Sequence, residues 1–186
     1  MLVYLHGLNS SNLSAKAGIL RERLEPLPLF APSYPAHRPD AAVETLTRFF
    51  AGLGEEIRPV VVGSSMGGFY GQYLARHFPM KHLYMINPAL RPWSLLSEFE
   101  GQTMTTAGGN AYRITRELIE STRRYGIADP RDGVATTLFL DKGDEVIDYR
   151  IAESIYRTCG RVILYEGGDH AFQHIDEAIA VMRESL

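Results

Sequence analysis

The sequence predicts an α/β fold with about six parallel strands in one sheet, helices on both faces, and a small helical insertion. Three observations predict it. Short β-branched or apolar runs alternate with longer stretches whose apolar residues recur at helical spacing. From Met1 to Asn87 the order is strand, helix, strand, helix, strand, helix, strand, the alternation that builds a parallel sheet covered on both sides. The 186 residues also suffice for one domain, 1–186, with a sizeable core.

Taken in order, Met1–Leu5 is a short apolar run, the first strand, and it leads into His6-Gly7-Leu8-Asn9-Ser10-Ser11. Ser14 is placed to cap a helix from Ala15 to Leu24, with Ala17, Leu20 and Leu24 on one face. Pro26 and Pro28 end it, because proline cannot continue a helical hydrogen-bond ladder. Leu29-Phe30-Ala31 is a second strand, and Pro32 to Pro39 a rigid loop. Pro39-Asp40 opens a helix whose apolar face carries Val43, Leu46, Phe49, Phe50 and Leu53. Gly52 and Gly54 close it before the strand Pro59–Val62.

A sharp turn, Gly63-Ser64-Ser65-Met66-Gly67-Gly68, then opens a helix from Met66 to about Phe78, with a core-facing stripe of Phe69, Tyr73, Leu74 and Phe78. Leu83–Asn87 is the next strand, stopped by Pro88. Residues 91–133 break the rhythm and read as an insertion: an amphipathic piece with Trp93, Leu95, Leu96 and Phe99, a polar glycine-bearing loop from Thr103 to Asn110, and a helix ending near Tyr125-Gly126. Such a segment is either a lid over the strand ends or a plain crossover connection. Two further strands, Thr136–Leu140 and Arg161–Tyr165, flank a helix from Tyr149 to Thr158, and a last helix spans about Phe172 to Glu184.

Bulk properties narrow the function classes. Apolar and charged contents of 45% and 22% are ordinary for a globular chain, so neither disorder nor a membrane class is indicated. A net charge of -3 gives no electrostatic case for nucleic acid or an anionic membrane surface. The single cysteine, Cys159, excludes an intramolecular disulfide and suits a reducing compartment. No secretory leader pattern and no apolar run approaching about 18 residues appears, so the cytoplasm is the expected location. No residue pattern calls for a cofactor, and nothing in the sequence sets an oligomeric state.

The chemistry is concentrated at four strand ends. Gly63-x-Ser65-x-Gly67 has the spacing of a nucleophile elbow, which leaves a buried strand and enters a helix within two residues. That turn lifts a serine hydroxyl above the sheet and aims the next amide, Met66, at a developing oxyanion, with the helix N-terminus behind it. The motif occurs by chance in about one chain in ten of this composition, so its context matters. A valine run before it and an apolar helix after it supply that context. A phosphate loop would need Gly-Lys-Ser/Thr and a dinucleotide site G-x-G-x-x-G, and neither is present.

The His6-Gly7 turn after the first strand is placed to give a second oxyanion donor from the Leu8 amide. A serine hydroxyl needs a base to take its proton, and His170, after the last strand, is the candidate. The acid that orients it lies after the penultimate strand, where Asp141, Asp144, Glu145 and Asp148 all qualify. Asp144 is preferred, because the Val146-Ile147 pair that follows can anchor the loop while the carboxylate turns inward. Asp148 would then cap the next helix. His6, Asn9, Trp93 and Phe172 are the substrate-contact candidates, with Phe99 and Tyr112 available for acyl contacts. Asn87 either braces the triad loop or lines the pocket, or simply makes a turn, which is the reading the residues alone favour. His170 and His174 are one helical turn apart, but without a zinc-protease glutamate or further carboxylates no metal is expected.

The order Ser65, Asp144, His170, with His6-Gly7 and Gly63-Ser64-Ser65-Met66-Gly67-Gly68, resembles the α/β-hydrolase superfamily. The finer resemblance is to the small bacterial YqiA-type esterases. It rests on Tyr4–Ser11, Val62–Tyr70, Asn87-Pro88-Ala89-Leu90-Arg91-Pro92, Gly143–Arg150 and Glu166–Phe172, blocks that span most of the chain. The resemblance implies a minimal α/β-hydrolase fold that omits the superfamily's first two strands. It also implies a Ser65–Asp144–His170 triad and serine esterase activity on small-molecule acyl esters, extending to thioesters. The insertion at 91–133 fits the family pattern least, so acyl-chain length does not carry over. Two alternatives use the same fold: a binding module with a silent triad, and an acyltransferase that delivers the acyl group to an alcohol or thiol.

Overall fold

The computed structural model describes residues 1–54, 56–130, 133–184 and 186. Arg131 and Asp132, at the end of the expected insertion, lie outside the described residues. Six strands form one sheet: β1 (Leu2–Leu5), β2 (Leu29–Phe30), β3 (Val60–Ser64), β4 (His82–Ile86), β7 (Thr136–Asp141) and β8 (Arg161–Tyr165). Their spatial order is β2-β1-β3-β4-β7-β8, and every neighbouring pair is parallel. The expected minimal α/β fold is therefore the observed one.

Alternation along the strands divides the core in two. Val3, Leu5, Val61, Leu83, Met85, Leu138 and Leu140 face α2 (Pro39–Ala51), α3 (Met66–Ala75) and α6 (Tyr149–Tyr156). Leu2, Tyr4, Val60, Val62, Tyr84, Ile86 and Phe139 face α1 (Ala15–Arg23) and α7 (Ile175–Arg183). Because both faces are covered, the central strands read as unbroken apolar runs rather than as an alternation with polar residues. Ser14 caps α1 by accepting from the Ala17 amide, and Asp148 caps α6 by accepting from the Arg150 amide.

The insertion differs from its sequence reading. Besides α4 (Pro92–Ser97) and α5 (Arg116–Arg124), it contains an antiparallel hairpin of β5 (Thr103–Thr105) and β6 (Ala111–Arg113). The turn between them closes through Thr106 N–H to Asn110 O and Asn110 N–H to the Thr106 hydroxyl, with Gly109 at φ 81°. Each three-residue strand turns only one side chain inward, Met104 and Tyr112, both partly buried, too few for periodicity to register. Leu96, Ile114 and Ile119 give the insertion a small core of its own. The last helix also starts later than expected, at Ile175, because residues 167–174 form the loop that carries His170.

Candidate active site

The site grows from the turn after β3. Ser65 adopts φ 53° and ψ -119°, a conformation that costs a non-glycine residue about 1–3 kcal/mol and persists only when its surroundings enforce it. They do so covalently and through hydrogen bonds. Ser65 N–H donates to Ile86 O (3.0 Å) at the end of β4, and Ser65 O accepts from Ala89 N–H (3.1 Å) and Gly68 N–H (2.9 Å). The flanking glycines are obligatory for space: a Cβ on Gly63 would strike the Gly67 carbonyl, and one on Gly67 the Leu5 carbonyl. The elbow is thus wedged between its own helix and the end of β1.

The loop after β1 closes over it. A Cβ on Gly7 would lie 3.1 Å from Ser65 Cβ and 3.6 Å from its Oγ, so this loop passes against the serine. Among the described residues, the N–H groups of Leu8, next to Gly7, and of Met66, next to Ser65, donate to no protein acceptor. His6 holds the loop from beneath. Its ring is 3% exposed, stacks on Tyr34 at 4.2 Å between centroids, and donates from Nδ1 to Gly7 O (3.0 Å). The Tyr34 hydroxyl donates to His6 O (2.5 Å). Burial pushes the His6 imidazole below its ordinary pKa and the Tyr34 phenol well above its own, so both remain neutral.

The loops after β7 and β8 bring the other two residues together. His170 Nδ1–H donates to Asp144 Oδ2 at 2.9 Å, with Oδ1 at 3.1 Å. The Asp144 carboxylate is 1% exposed, and its Oδ1 also accepts from Val146 N–H (2.9 Å) and Ile147 N–H (2.8 Å). Of the four candidate acids, Asp144 is the one bonded to the His170 ring. Glu145 accepts instead from the His170 backbone N–H (3.0 Å), and Asp148 is the helix cap. Among the described residues no direct hydrogen bond joins His170 to the Ser65 hydroxyl. Their loops are tied through β4: Ser65 N–H binds Ile86 O, and the next residue, Asn87, donates from Nδ2 to Asp169 O (3.0 Å).

Asp141 emerges as a second, fully buried acid. It accepts from Gln173 N–H (2.8 Å) and from His174 Nδ1–H (2.6 Å), while its own N–H donates to Asn87 Oδ1 (2.9 Å). Gly168, at φ 73°, lies so close that a Cβ would strike the Asp141 carboxylate. On the far side, Lys16 Nζ donates to Ala171 O (2.5 Å). Burial draws the Lys16 ammonium below its ordinary pKa, against the opposing pull of Asp169, Asp141 and Asp144. The His170 loop is therefore gripped by Glu145, Asp141, Asn87 and Lys16. Asn87 is a brace rather than a mere turn. His174 belongs to this support and faces an acid.

The substrate-contact candidates fall differently. Phe172 is 4% exposed, with its ring against Phe139 and Tyr165, so it is a core residue on the α1/α7 face. Its place beside His170 in sequence does not put it beside His170's chemistry, because the loop reverses at φ 70°. Trp93, on α4, packs against the end of α5, where a Cβ on Gly126 would meet its ring at 2.6 Å and the Arg123 guanidinium lies 5.9 Å above it. His6 is enclosed as described. Asn9 alone is exposed, and its Oδ1 accepts from the Tyr112 hydroxyl (2.8 Å), tying the hairpin to the Gly7 loop.

A six-stranded parallel sheet with a strained serine after β3, and an Asp–His pair after β7 and β8, has the architecture of an α/β hydrolase. The chain belongs to UPF0227, an uncharacterised protein family whose pattern matches residues 1–184. This accords with the YqiA-type resemblance. Solved structures of similar fold include a protein of Agrobacterium vitis S4, with a TM-score of 0.81 and 17% identity over 99% of this chain and 87% of that one. Another is mouse alpha/beta hydrolase domain-containing protein 10, at 0.78 and 15%, covering 98% and 88%. A monoacylglycerol lipase of Paleococcus ferrophilus matches at 0.75 and 15%, covering 98% and 92%. At these identities the likeness is one of fold. Among the described residues no helix is long and apolar enough to cross a membrane.

Proposed function

We infer that this chain is a serine esterase that hydrolyses acyl esters of small molecules. Ser65 is its nucleophile, His170 the base and Asp144 the orienting acid. The observation that carries the reading is the enforced positive φ of Ser65 beneath a loop whose partner strands deliver a bonded His170–Asp144 pair. Asp144 fixes the imidazole with its proton on Nδ1, leaving Nε2 to take the serine proton. Oγ then adds to the ester carbonyl, and the oxyanion is met by the Leu8 and Met66 amides. The imidazolium returns its proton to the departing alcohol as the C–O bond breaks. Water, deprotonated by the same Nε2, releases the acid from the acyl-serine and restores the enzyme.

In this reading residues 1–186 are one catalytic domain, and α4, the hairpin and α5 form a wall beside the strand ends. Thioesters are a second substrate class, since the same attack applies to their carbonyl. Esters and thioesters are separated by comparing p-nitrophenyl butyrate with butyryl-CoA. The missing His170–Ser65 hydrogen bond favours a second reading, a binding module with an unactivated serine. Such bonds are often long in unliganded enzymes and tighten with substrate. Steady-state hydrolysis of p-nitrophenyl butyrate by the wild type and Ser65→Ala decides: activity that survives in the variant removes the esterase assignment.

A further inference from the structure

The turn Gly7-Leu8-Asn9-Ser10 is held from two sides, and one of them belongs to the insertion. On the sheet side Gly7 O accepts from His6 Nδ1–H (3.0 Å) and from Ser10 N–H (3.3 Å). The Gly7–Leu8 peptide is trans, so fixing its carbonyl also fixes its N–H, in the opposite direction. Asn9, third in the turn, has φ 55°, a conformation asparagine adopts more readily than most side chains.

The outer side is made by the hairpin. The Tyr112 hydroxyl, on β6, donates to Asn9 Oδ1 (2.8 Å), and Asn9 Nδ2 donates to Met104 Sδ on β5 (3.7 Å). Leu8 carries a second link. Its side chain packs against the main core and also against the insertion's own core of Leu96, Ile114 and Ile119. Two consecutive residues of one turn are thus anchored on the insertion, one by apolar contact and one by a hydrogen bond. The Tyr112 ring is itself backed by His37, at 4.5 Å between centroids. Burial raises the Tyr112 phenol above its ordinary pKa, against a smaller lowering by Asn9, so near neutral pH the hydroxyl keeps its proton and remains a donor.

Resting on the esterase reading above, in which the Leu8 amide meets the oxyanion, we propose that Tyr112 is a positioning residue for that amide. Its hydroxyl clamps Asn9, Asn9 holds the turn, and the turn keeps the Leu8 N–H directed at the developing charge. Tyr112 itself does not touch substrate, and the β5–β6 hairpin is the outer support of the oxyanion hole. An oxyanion donor works because it is oriented before charge develops. Slack in the turn therefore weakens transition-state binding more than substrate binding.

The test is Tyr112→Phe in the full chain, which deletes the hydroxyl and leaves a ring against His37. With p-nitrophenyl butyrate, kcat is expected to fall about tenfold while KM stays within about twofold of wild type. Outright loss of an oxyanion donor would cost about 10²–10³-fold. Butylboronic acid, which forms a tetrahedral adduct with an active serine, should bind about tenfold more weakly, in step with kcat. Asn9→Gly removes the other half of the clamp while permitting the positive φ. It should lose about as much as Tyr112→Phe, and the double variant no more than either alone. A Tyr112→Phe kcat within about twofold of wild type, unchanged boronate affinity, or additive losses in the double variant overturn the proposal. A raised KM with kcat unchanged overturns it too, making Tyr112 a substrate contact. All of these results leave the esterase reading standing. A wild type that neither turns over ester nor is labelled by a fluorophosphonate removes that reading and the proposal with it. Should Tyr112→Phe not fold, Asn9→Gly decides by the same split between kcat and KM.

Discussion

Replacing Asp144 by asparagine separates the two buried acids more sharply than any other change. The asparagine Oδ1 still accepts from the Val146 and Ile147 amides, so the loop keeps two of its bonds. Its amide NH₂, however, opposes His170 Nδ1, which is now forced to accept. The imidazole proton moves to Nε2, and on the esterase reading the ring can then no longer take the serine proton. A wrong tautomer of this kind costs roughly 10⁴-fold in kcat, or about 5.4 kcal/mol of transition-state stabilisation. Stability should change far less, by about 2 kcal/mol, the worth of one charge-assisted hydrogen bond. Hydrolysis of p-nitrophenyl butyrate read beside urea unfolding gives both quantities. A variant within tenfold of wild type, beside an Asp141→Asn variant that lost four decades, would refute the assignment and make Asp141–His174 the working pair.

Asp141→Ala strips partners from Gln173 and His174 at once, so urea unfolding should show a loss of about 3–5 kcal/mol. Gly67→Ala drives a methyl into the Leu5 carbonyl and should prevent folding or lower stability by about 4 kcal/mol or more, read from circular dichroism melts. Gly18→Ala, in α1 with open space around it, should instead raise stability by about 0.5–1 kcal/mol in the same melts. His6 is buried in its neutral form with a pKa below 6.5, so the unfolded chain binds the extra proton first. Stability should therefore hold above about pH 6.5 and fall as pH drops toward the folded pKa, and His6→Gln should flatten that decline in a pH series of thermal melts.

The sheet was legible because its strands are buried on both faces and its helices carry apolar stripes, signals spread over many residues. The elbow was legible because its geometry tolerates only glycine at positions 63 and 67, which stamps a fixed spacing on the chain. Asp144 could be preferred over its neighbours only through the Val146-Ile147 anchor, and the structure places both of those amides on its carboxylate. What the sequence hid were contacts between distant segments. Asp141, Glu145 and Asn87 stood out as candidates by their place after a strand, but which part of the His170 loop each one holds, and the reach of Lys16 to that loop across 155 residues, no local pattern marks. The hairpin was hidden because each of its strands turns a single, partly buried side chain inward. Phe172 was read as a substrate contact because an aromatic residue near a motif looks the same whether it faces a cleft or a core.

Exposure of the purified protein to a fluorophosphonate, followed by intact-mass measurement and peptide mapping, tests the central claim most directly. The account predicts one adduct, on Ser65, absent from Ser65→Ala and strongly slowed in His170→Ala. A folded wild type that gains no adduct, or a Ser65→Ala variant that still gains one, would contradict it.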